Sequence, residues 1–196
     1  MRLLSAIICL SVIALLAAPL HAGMEPFFKG EWDMGMDEIK KLNQGTPLNE
    51  QYSRFYQTRE LEYEQELYGQ QVVVTYVFDK DLKLSAVGVA DYAFTNVGDH
   101  VFWEVRDNLQ DAVATTLEPP VQFAGISVQS GNQTFYEWAW LNADTYTDIY
   151  VKVKPGKDLN DYRFNFLFYD NSDSAFDTQF KELQARAASQ TQGDTQ

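Results

Sequence analysis

The segment from Leu61 to Leu67 constrains the fold more than any other part of this chain. It reads Leu-Glu-Tyr-Glu-Gln-Glu-Leu, so that Glu62, Glu64 and Glu66 alternate with mostly apolar side chains. A period of two is that of a β-strand with one buried and one solvated face. We therefore predict a half-buried strand here, and we expect the three glutamates to form a solvated stripe on one face of a sheet.

The residues around this strand indicate a helix followed by a three-stranded antiparallel meander. A helical pattern begins near Met34, with Gly35 as the cap and Glu38 in the position of a capping-box acid. The Gly-Thr-Pro sequence at residues 45–47 ends it. Three strands are predicted after it, over residues 61–67, 72–78 and 82–89.

The same order of elements recurs in the second half. A helical pattern of apolar residues runs from an Asp99 cap to the stop at Pro119-Pro120. Three further strands are predicted over residues 135–141, 145–154 and 161–169, and a last short helix over residues 174–186. The sequence therefore predicts an α+β fold in which two helix-plus-antiparallel-meander repeats are packed into one compact unit.

Residues 1–22 have the features of a secretory signal peptide. Arg2 precedes an apolar core, and Pro19 and Ala22 follow that core. The run is too short for a membrane anchor, which needs about 20 apolar residues. Cys9 lies inside the core, whereas a lipid-attachment cysteine would stand just after it. We predict cleavage after Ala22, no stable membrane anchor afterwards, and a periplasmic or secreted location.

The rest of the chain divides into two predicted units and a tail. We place the first helix-plus-meander unit at residues 23–95, the second unit with the C-terminal helix at residues 96–186, and a disordered tail at residues 187–196. Cys9 is the one cysteine of the chain, so none remains after cleavage. The mature protein must therefore be stable by packing alone.

Composition excludes several classes of function. The net charge of −13 repels phosphate backbones, which excludes nucleic acid as a partner. The mature sequence lacks the thiols that cysteine catalysis needs, and its one histidine, His100, cannot form a zinc ligand set by itself. Without a Gly-x-Ser-x-Gly motif, Ser127 and Ser130 are interpreted as loop serines. We predict no catalytic residue, no metal ligand and no cofactor.

Two acidic features keep alternatives open. Glu137 lies between aromatic residues and would suit a carboxylate-dependent hydrolase if it were buried, although strand alternation favours a polar residue on the wet face. The run from Asp170 to Asp177 is rich enough in oxygen for calcium. A turn followed by the N-cap of the last helix is the favoured interpretation of that run.

Aromatic residues concentrate in the second half. The strand period places Tyr136, Trp138 and Trp140 on one face, and Tyr146 and Tyr150 lie on the next strand. Facing one another, they would line a groove for a sugar, a peptide or an apolar ligand, or form a protein contact patch. They would equally serve as core beside the phenylalanines of the last strand. We predict that most are core and that an exposed subset forms the binding surface.

The start of the first helix resembles that of a group of exported bacterial proteins. Trp32-Asp33-Met34 followed by Glu38-Ile39 is similar to their Trp-Gly-Met-Ser and Glu-Val sequence. The tandem build, with strand motifs such as Tyr76-x-Phe78 and Phe166-x-Phe168, is also similar to that of β-lactamase-inhibitor proteins and of small outer-membrane assembly lipoproteins. Gly35 stands where a helix-capping serine would be, and the lipid-attachment cysteine is missing. The resemblance implies an α+β fold, export and a binding or assembly role.

The favoured function is an exported, non-enzymatic binding or protein-interaction module whose partner is an unknown protein or small ligand. The alternatives are a carboxylate-dependent hydrolase with its site in a cleft between the halves, and a carrier of an apolar ligand. Two facing buried acids would favour the hydrolase, an enclosed apolar cavity the carrier, and a flat aromatic patch the interaction module.

Overall fold

A computed structural model describes residues 26–53, 57–117 and 119–193, and the predicted signal peptide lies outside these residues. The helices of the described residues are α1 (Met36–Asn43), α2 (Asp99–Thr116) and α3 (Asp177–Gly193). The strands are β1 (Asn49–Ser53), β2 (Thr58–Leu67), β3 (Gln70–Phe78), β4 (Leu84–Val97), β5 (Gln122–Ser130), β6 (Gln133–Leu141), β7 (Thr145–Pro155) and β8 (Asn160–Asp170).

All eight strands pair antiparallel in one sheet, in the order β1-β2-β3-β4-β8-β7-β6-β5. Each half of the chain contributes a helix and a four-stranded meander, and the two meanders join where β4 pairs with β8. Val87 opposes Phe168 and Val89 opposes Phe166 at this joint. The predicted α+β class is confirmed, whereas the duplication of one repeat stays a prediction.

The number of strands differs from the three predicted in each half, because β1 and β5 are additional strands at the two edges of the sheet. β1 is polar and mostly exposed, so it lacks the apolar alternation by which the other strands are recognised. β5 contains Ser127 and Ser130, which pair with Tyr136 and Gln133 of β6. The interpretation of these two residues as loop serines is therefore wrong.

One face of the sheet packs beneath α1, α2 and the arm that precedes α1. Phe27 in this arm lies between Phe166 and Phe168, with ring centroids 5.6 and 5.2 Å apart. Met36 and Ile39 of α1 belong to the same core. Each buried aromatic or aliphatic side chain of this kind contributes about 1.5–3 kcal/mol through removal from water. A chain without disulfides is stabilised in this way by aromatic packing across β8.

The starts of α1 and α2 follow from different hydrogen bonds. The N–H of Gly35, the residue before α1, donates to Oε2 of Glu38 at 2.7 Å, which confirms the predicted pairing. α2 begins after Gly98, so the prediction of Asp99 as its cap is wrong. The Asp99 carboxylate instead accepts hydrogen bonds from the Tyr162 hydroxyl at 2.6 Å and from Asn160 Nδ2 at 2.7 Å. The start of α2 is thus tied to β8.

The opposite face is covered in part by α3, whose Phe180 and Leu183 pack over β5 and β6. The turn before α3 is built by Asp side chains, as predicted: Asp170 accepts from the N–H of Ser172 at 2.9 Å. The helix continues past Arg186 through residues 187–193, where a disordered tail was predicted, and residues 194–196 lie outside the described part. Ala185, Ala187 and Ala188 have high helix propensity and favour continuation of the helix beyond its apolar pattern.

The glutamates of β2 lie on this second face, as predicted. Glu62, Glu64 and Glu66 are half-buried or exposed, while Leu61 and Tyr63 point into the core on the first face. Their neighbours on β3 are Thr75, Val73 and Gln71 in the antiparallel register.

Candidate functional site

The five aromatic residues singled out in the second half do not form a single surface. In the register of β6 with β7, Glu137 opposes Tyr150 and Leu141 opposes Tyr146. Successive side chains of a strand point to opposite faces. Tyr136, Trp138 and Trp140 therefore lie on the face beneath α2, whereas Tyr146 and Tyr150 lie on the face of α3. The expectation that the two sets face one another is wrong.

Most of this set is core. Trp138, Trp140 and Tyr146 are exposed by 5, 3 and 0%. Tyr146 is buried beneath α3, where it stacks on Phe176 with ring centroids 5.1 Å apart. Tyr136 is half-buried and Tyr150 is 38% exposed. These last two form the exposed subset, on opposite faces of the sheet.

A groove of about 360 Å³ lies between α2 and β5 and includes two of the predicted residues. Tyr136 and Trp138 form its inner wall, Trp103 and Arg106 contribute from α2, and Phe123 contributes from β5. Trp103 is 41% exposed and Phe123 is 48% exposed. The groove therefore combines a buried aromatic floor with two large aromatic side chains that remain open to solvent.

Helix geometry explains why α2 presents Trp103. Phe102 is buried and stacks on Tyr162 with ring centroids 4.7 Å apart. Neighbouring helix positions point about 100° apart, so Trp103 leaves the core as soon as Phe102 enters it. Trp103 and Phe123 were not among the residues predicted to bind. For Trp103 the sequence did hold a signal, because two adjacent aromatic residues within a helical pattern cannot both face the core.

Arg106 fixes the orientation of the Trp103 ring. Its guanidinium carbon lies 4.5 Å from the ring centroid, which is a cation–π contact. Its Nε and Nη2 donate to Oδ1 of Asp107 at 2.8 and 2.6 Å. The charge of Arg106 is balanced beside the groove, and the rim is close to neutral.

Gly125 brings the floor of the groove close to the edge strand. A Cβ atom at this position would lie 2.9 Å from Cδ1 of Trp138 and 3.1 Å from Cζ of Phe123. Real side chains avoid contacts this short, so the tryptophan ring occupies the space that a side chain would need. Glycine here allows Trp138 to pack directly under β5.

A second cavity of about 170 Å³ continues the groove toward the start of α2. It shares Trp103 and Tyr136 with the first, and Asp99, Asn160 and Tyr162 supply its polar groups. Burial, together with the hydrogen bond to Asp99, raises the pKa of Tyr162 to about 12. Burial, with a smaller contribution from Asp99, also raises the pKa of Tyr136. Both phenols therefore remain neutral at physiological pH.

The outer edge of β5 forms the rim of the groove, and Gln190 of α3 hydrogen-bonds to this edge. Gln190 Nε2 donates to the carbonyl oxygen of Ser127 at 2.6 Å, and the N–H of Ser127 donates to Gln190 Oε1 at 3.3 Å. Ala187 and Gln190 also line the groove. The edge strand, the end of α3 and the aromatic wall thus meet in one place.

Glu137, the acid considered for a hydrolase, lies on the opposite face, and so does Asp148, which the sequence analysis did not consider. Burial raises the pKa of Asp148 to about 7, and the nearby Glu137 adds to the shift. Glu137 accepts a 3.5 Å contact from Nη1 of Arg186 on α3. Both acids stand in the second half, on β6 and β7, so a cleft between the halves does not hold them. His100 is exposed at the start of α2.

Comparisons with protein-family models and with curated proteins found no match for this chain. Within residues 26–53, 57–117 and 119–193, no helix is long and apolar enough to cross a membrane. Across the same part of the chain, no group of three or more His, Asp or Glu side chains converges as a metal site would require.

Proposed function

We propose that this protein is an exported, non-enzymatic protein-interaction module that binds a segment of a partner protein in the groove between α2 and β5. The observation that carries the proposal is the exposure of Trp103 and Phe123 in one open groove. Large aromatic side chains are prominent among the residues that dominate interfaces, because a partner removes much apolar area from water at little entropic cost.

The chemistry of the groove favours a polypeptide over an apolar ligand. Its walls combine aromatic rings with the side-chain amides of Gln110 and Gln190 and with the edge of β5. Covering an amide group with an apolar ligand that does not replace its hydrogen bonds costs free energy. A peptide offers apolar side chains and hydrogen-bonding groups together. The net charge of −13 favours a neutral or basic partner.

The location of the protein rests on its first 22 residues. The positive residue, short apolar core and Pro19 support export to the periplasm or the exterior. The similarity of the first helix to that of exported bacterial proteins is consistent with this location. The predicted tandem helix-plus-meander build resembles that of β-lactamase-inhibitor proteins and assembly lipoproteins, and this resemblance supports a binding role by analogy.

Trp103→Ala and Phe123→Ala test the proposal. The partner is first captured by the mature chain from the native envelope, identified by crosslinking and mass spectrometry, and purified for titration. Each variant is expected to weaken binding by about tenfold or more, the size of an interface hot spot. Because both side chains are strongly exposed, the melting temperature is expected to stay close to that of the wild type.

Three control variants separate the groove from the opposite face and binding from folding. Leu167→Ala and Tyr150→Ala remove side chains that are equally exposed, at 38%, on the opposite face, and both are expected to bind normally. Trp138→Ala removes a core ring and is expected to cost about 3–5 kcal/mol of stability. Normal binding by both groove variants, together with loss of binding by Tyr150→Ala, would place the interface on the other face and refute the proposal.

A further inference from the structure

The side chain of Gln190 behaves like one residue of a neighbouring strand. Its carboxamide has the donor and acceptor of a peptide group, and it pairs with both backbone groups of Ser127, at 2.6 and 3.3 Å. This two-bond exchange is what a residue on a ninth strand would make with Ser127. The outward backbone groups of Ser127 are therefore paired with a side chain, that of Gln190, which takes the place of a peptide group.

The alternation of antiparallel pairing identifies the other β5 residues whose backbone groups point away from the sheet. Since the N–H and C=O of Ser127 point outward, those of Phe123, Gly125 and Gln129 point the same way, and the intervening residues bond to β6. Phe123, Gly125 and Ser127 also line the groove. The outward backbone groups and the aromatic wall thus belong to the same stretch of β5.

We infer that β5 is a docking strand, and that an extended segment of the partner adds to its outer edge as a ninth strand after displacing Gln190. This inference rests on the proposed function and names the partner's conformation. In strand addition the backbone hydrogen bonds supply affinity, and side chains at alternate positions supply specificity. Every second side chain of the added strand enters the groove beside Trp103, so we assign the partner segment large apolar residues at alternate positions.

The end of α3 can yield without loss of the core. The helix is held by Phe180 and Leu183, which are 1 and 2% exposed. Residues 185, 186, 188, 189 and 190 are all exposed, and Ala187 is half-buried. Terminal helical turns with few buried side chains open locally at low free energy. A partner strand therefore displaces the last turns of α3 while Phe180 and Leu183 remain packed.

The probe is a synthetic nine-residue peptide with Phe or Leu at alternate positions and Thr or Lys between them, titrated onto the mature protein by fluorescence anisotropy. Its matched control has the same sequence with alternate amides N-methylated, which keeps the side chains but removes the edge hydrogen bonds. The unmodified peptide is expected to bind and the N-methylated one to fail. Gln190→Ala is expected to bind the unmodified peptide roughly three- to tenfold more tightly, the worth of the freed hydrogen bonds.

The outcomes distinguish this inference from the proposed function. Equal binding of both peptides, or none by either, overturns the docking strand, while the Trp103 and Phe123 experiment with the native partner still decides the proposed function. Weaker binding by Gln190→Ala would show that Gln190 contacts the ligand and would overturn the displacement. Dimerisation of Gln190→Ala in size-exclusion chromatography without peptide would identify a second copy as the occupant and overturn the assignment to a partner. Trp103→Ala is expected to weaken binding of the unmodified peptide. Unchanged binding would overturn the entry of the peptide's side chains into the groove.

Discussion

Asp148 is a charged residue that strand alternation places among apolar neighbours. It lies on β7 between Ala139 of β6 and Leu167 of β8. Its Oδ1 is buried and has no hydrogen-bond partner among the described residues. Burial, with a further contribution from Glu137, raises the pKa of this carboxyl to about 7, above the ordinary 3.8. Between about pH 4 and pH 7 the folded protein therefore holds a proton on Asp148 that the unfolded chain releases.

Asp148→Asn is expected to remove a pH dependence of stability. A raised pKa in the folded state stabilises the protein fully below about pH 4, and this stabilisation is lost as pH rises toward about 7, at up to about 1.4 kcal/mol per pH unit. Asparagine is neutral throughout. The variant should therefore exceed the wild type in unfolding free energy at pH 8 by up to about 4 kcal/mol and approach it near pH 4, as measured by urea unfolding.

The matched control for this measurement is Asp158→Asn, an exposed carboxylate in the loop between β7 and β8. It should leave the unfolding free energy unchanged at both pH values. If Asp148→Asn tracked this control across the whole range, Asp148 would be ionised in the folded protein and its burial would have no energetic consequence.

Strand alternation predicts which residues share a face, but it does not identify the face that is covered. The sequence pattern correctly separates Leu61 and Tyr63 from the glutamates of β2. It also places Tyr136, Trp138 and Trp140 together, although Trp138 and Trp140 are core and Tyr136 is half-buried. The exposure of these side chains depends on how much of the sheet α2 covers, which is a property of the tertiary structure. The same limit explains why Trp103 and Phe123 were not recognised as candidates.

At the scale of elements, central strands and helices were predictable and the edges were not. Aromatic and β-branched residues are common in β3, β6, β7 and β8. These strands pair on both sides and pack on the core, and such residues fit that environment. β1 and β5 each pair on one side only, so polar residues, Gly125 and two serines are tolerated there. The strand that carries the candidate site is thus one of the two edge strands with weak sequence signals.

Gly125→Ala tests how closely β5 packs on the floor of the groove. The new methyl group would lie 2.9 Å from Cδ1 of Trp138, a ring that is itself buried and has little room to move. Overpacking of this kind is expected to lower the unfolding free energy by about 1–3 kcal/mol. Thermal melting of the purified protein measures this loss.

Gly88→Ala on β4 is the matched control for that substitution. Its methyl group would meet Cδ2 of Leu167 at 3.7 Å, an ordinary van der Waals distance. Both glycines lie inside strands, so they share the small gain that a side chain brings to strand conformation. Equal melting temperatures for the two variants would show that the ring of Trp138 moves to accommodate the added methyl group without loss of stability.

At the scale of the whole molecule, the two meanders share one sheet and one core. The aromatic rings of β8 make this connection. The ring centroid of Phe166 lies 5.6 Å from that of Phe27 in the arm and 5.8 Å from that of Tyr92 on β4. Trp32 of the first half donates from Nε1 to the hydroxyl of Thr145 in the second half at 2.8 Å. Packing and hydrogen bonding thus cross the joint in several places, and none of the described residues is a cysteine.

Phe166→Ala should therefore destabilise both halves together. Loss of a fully buried phenylalanine costs about 3–5 kcal/mol, and at this position the cavity opens in the core that β4 and β8 share. Three of the four tryptophans, Trp103, Trp138 and Trp140, lie in the second half, so fluorescence reports mainly on that half, while far-UV circular dichroism reports on the strands of both halves. Urea unfolding followed by fluorescence and by far-UV circular dichroism should give coincident single transitions in the wild type and, at lower urea, in Phe166→Ala. A variant in which the second half unfolds at unchanged urea while the circular dichroism splits into two steps would show that the halves are independent folding units joined only by the β4–β8 ladder.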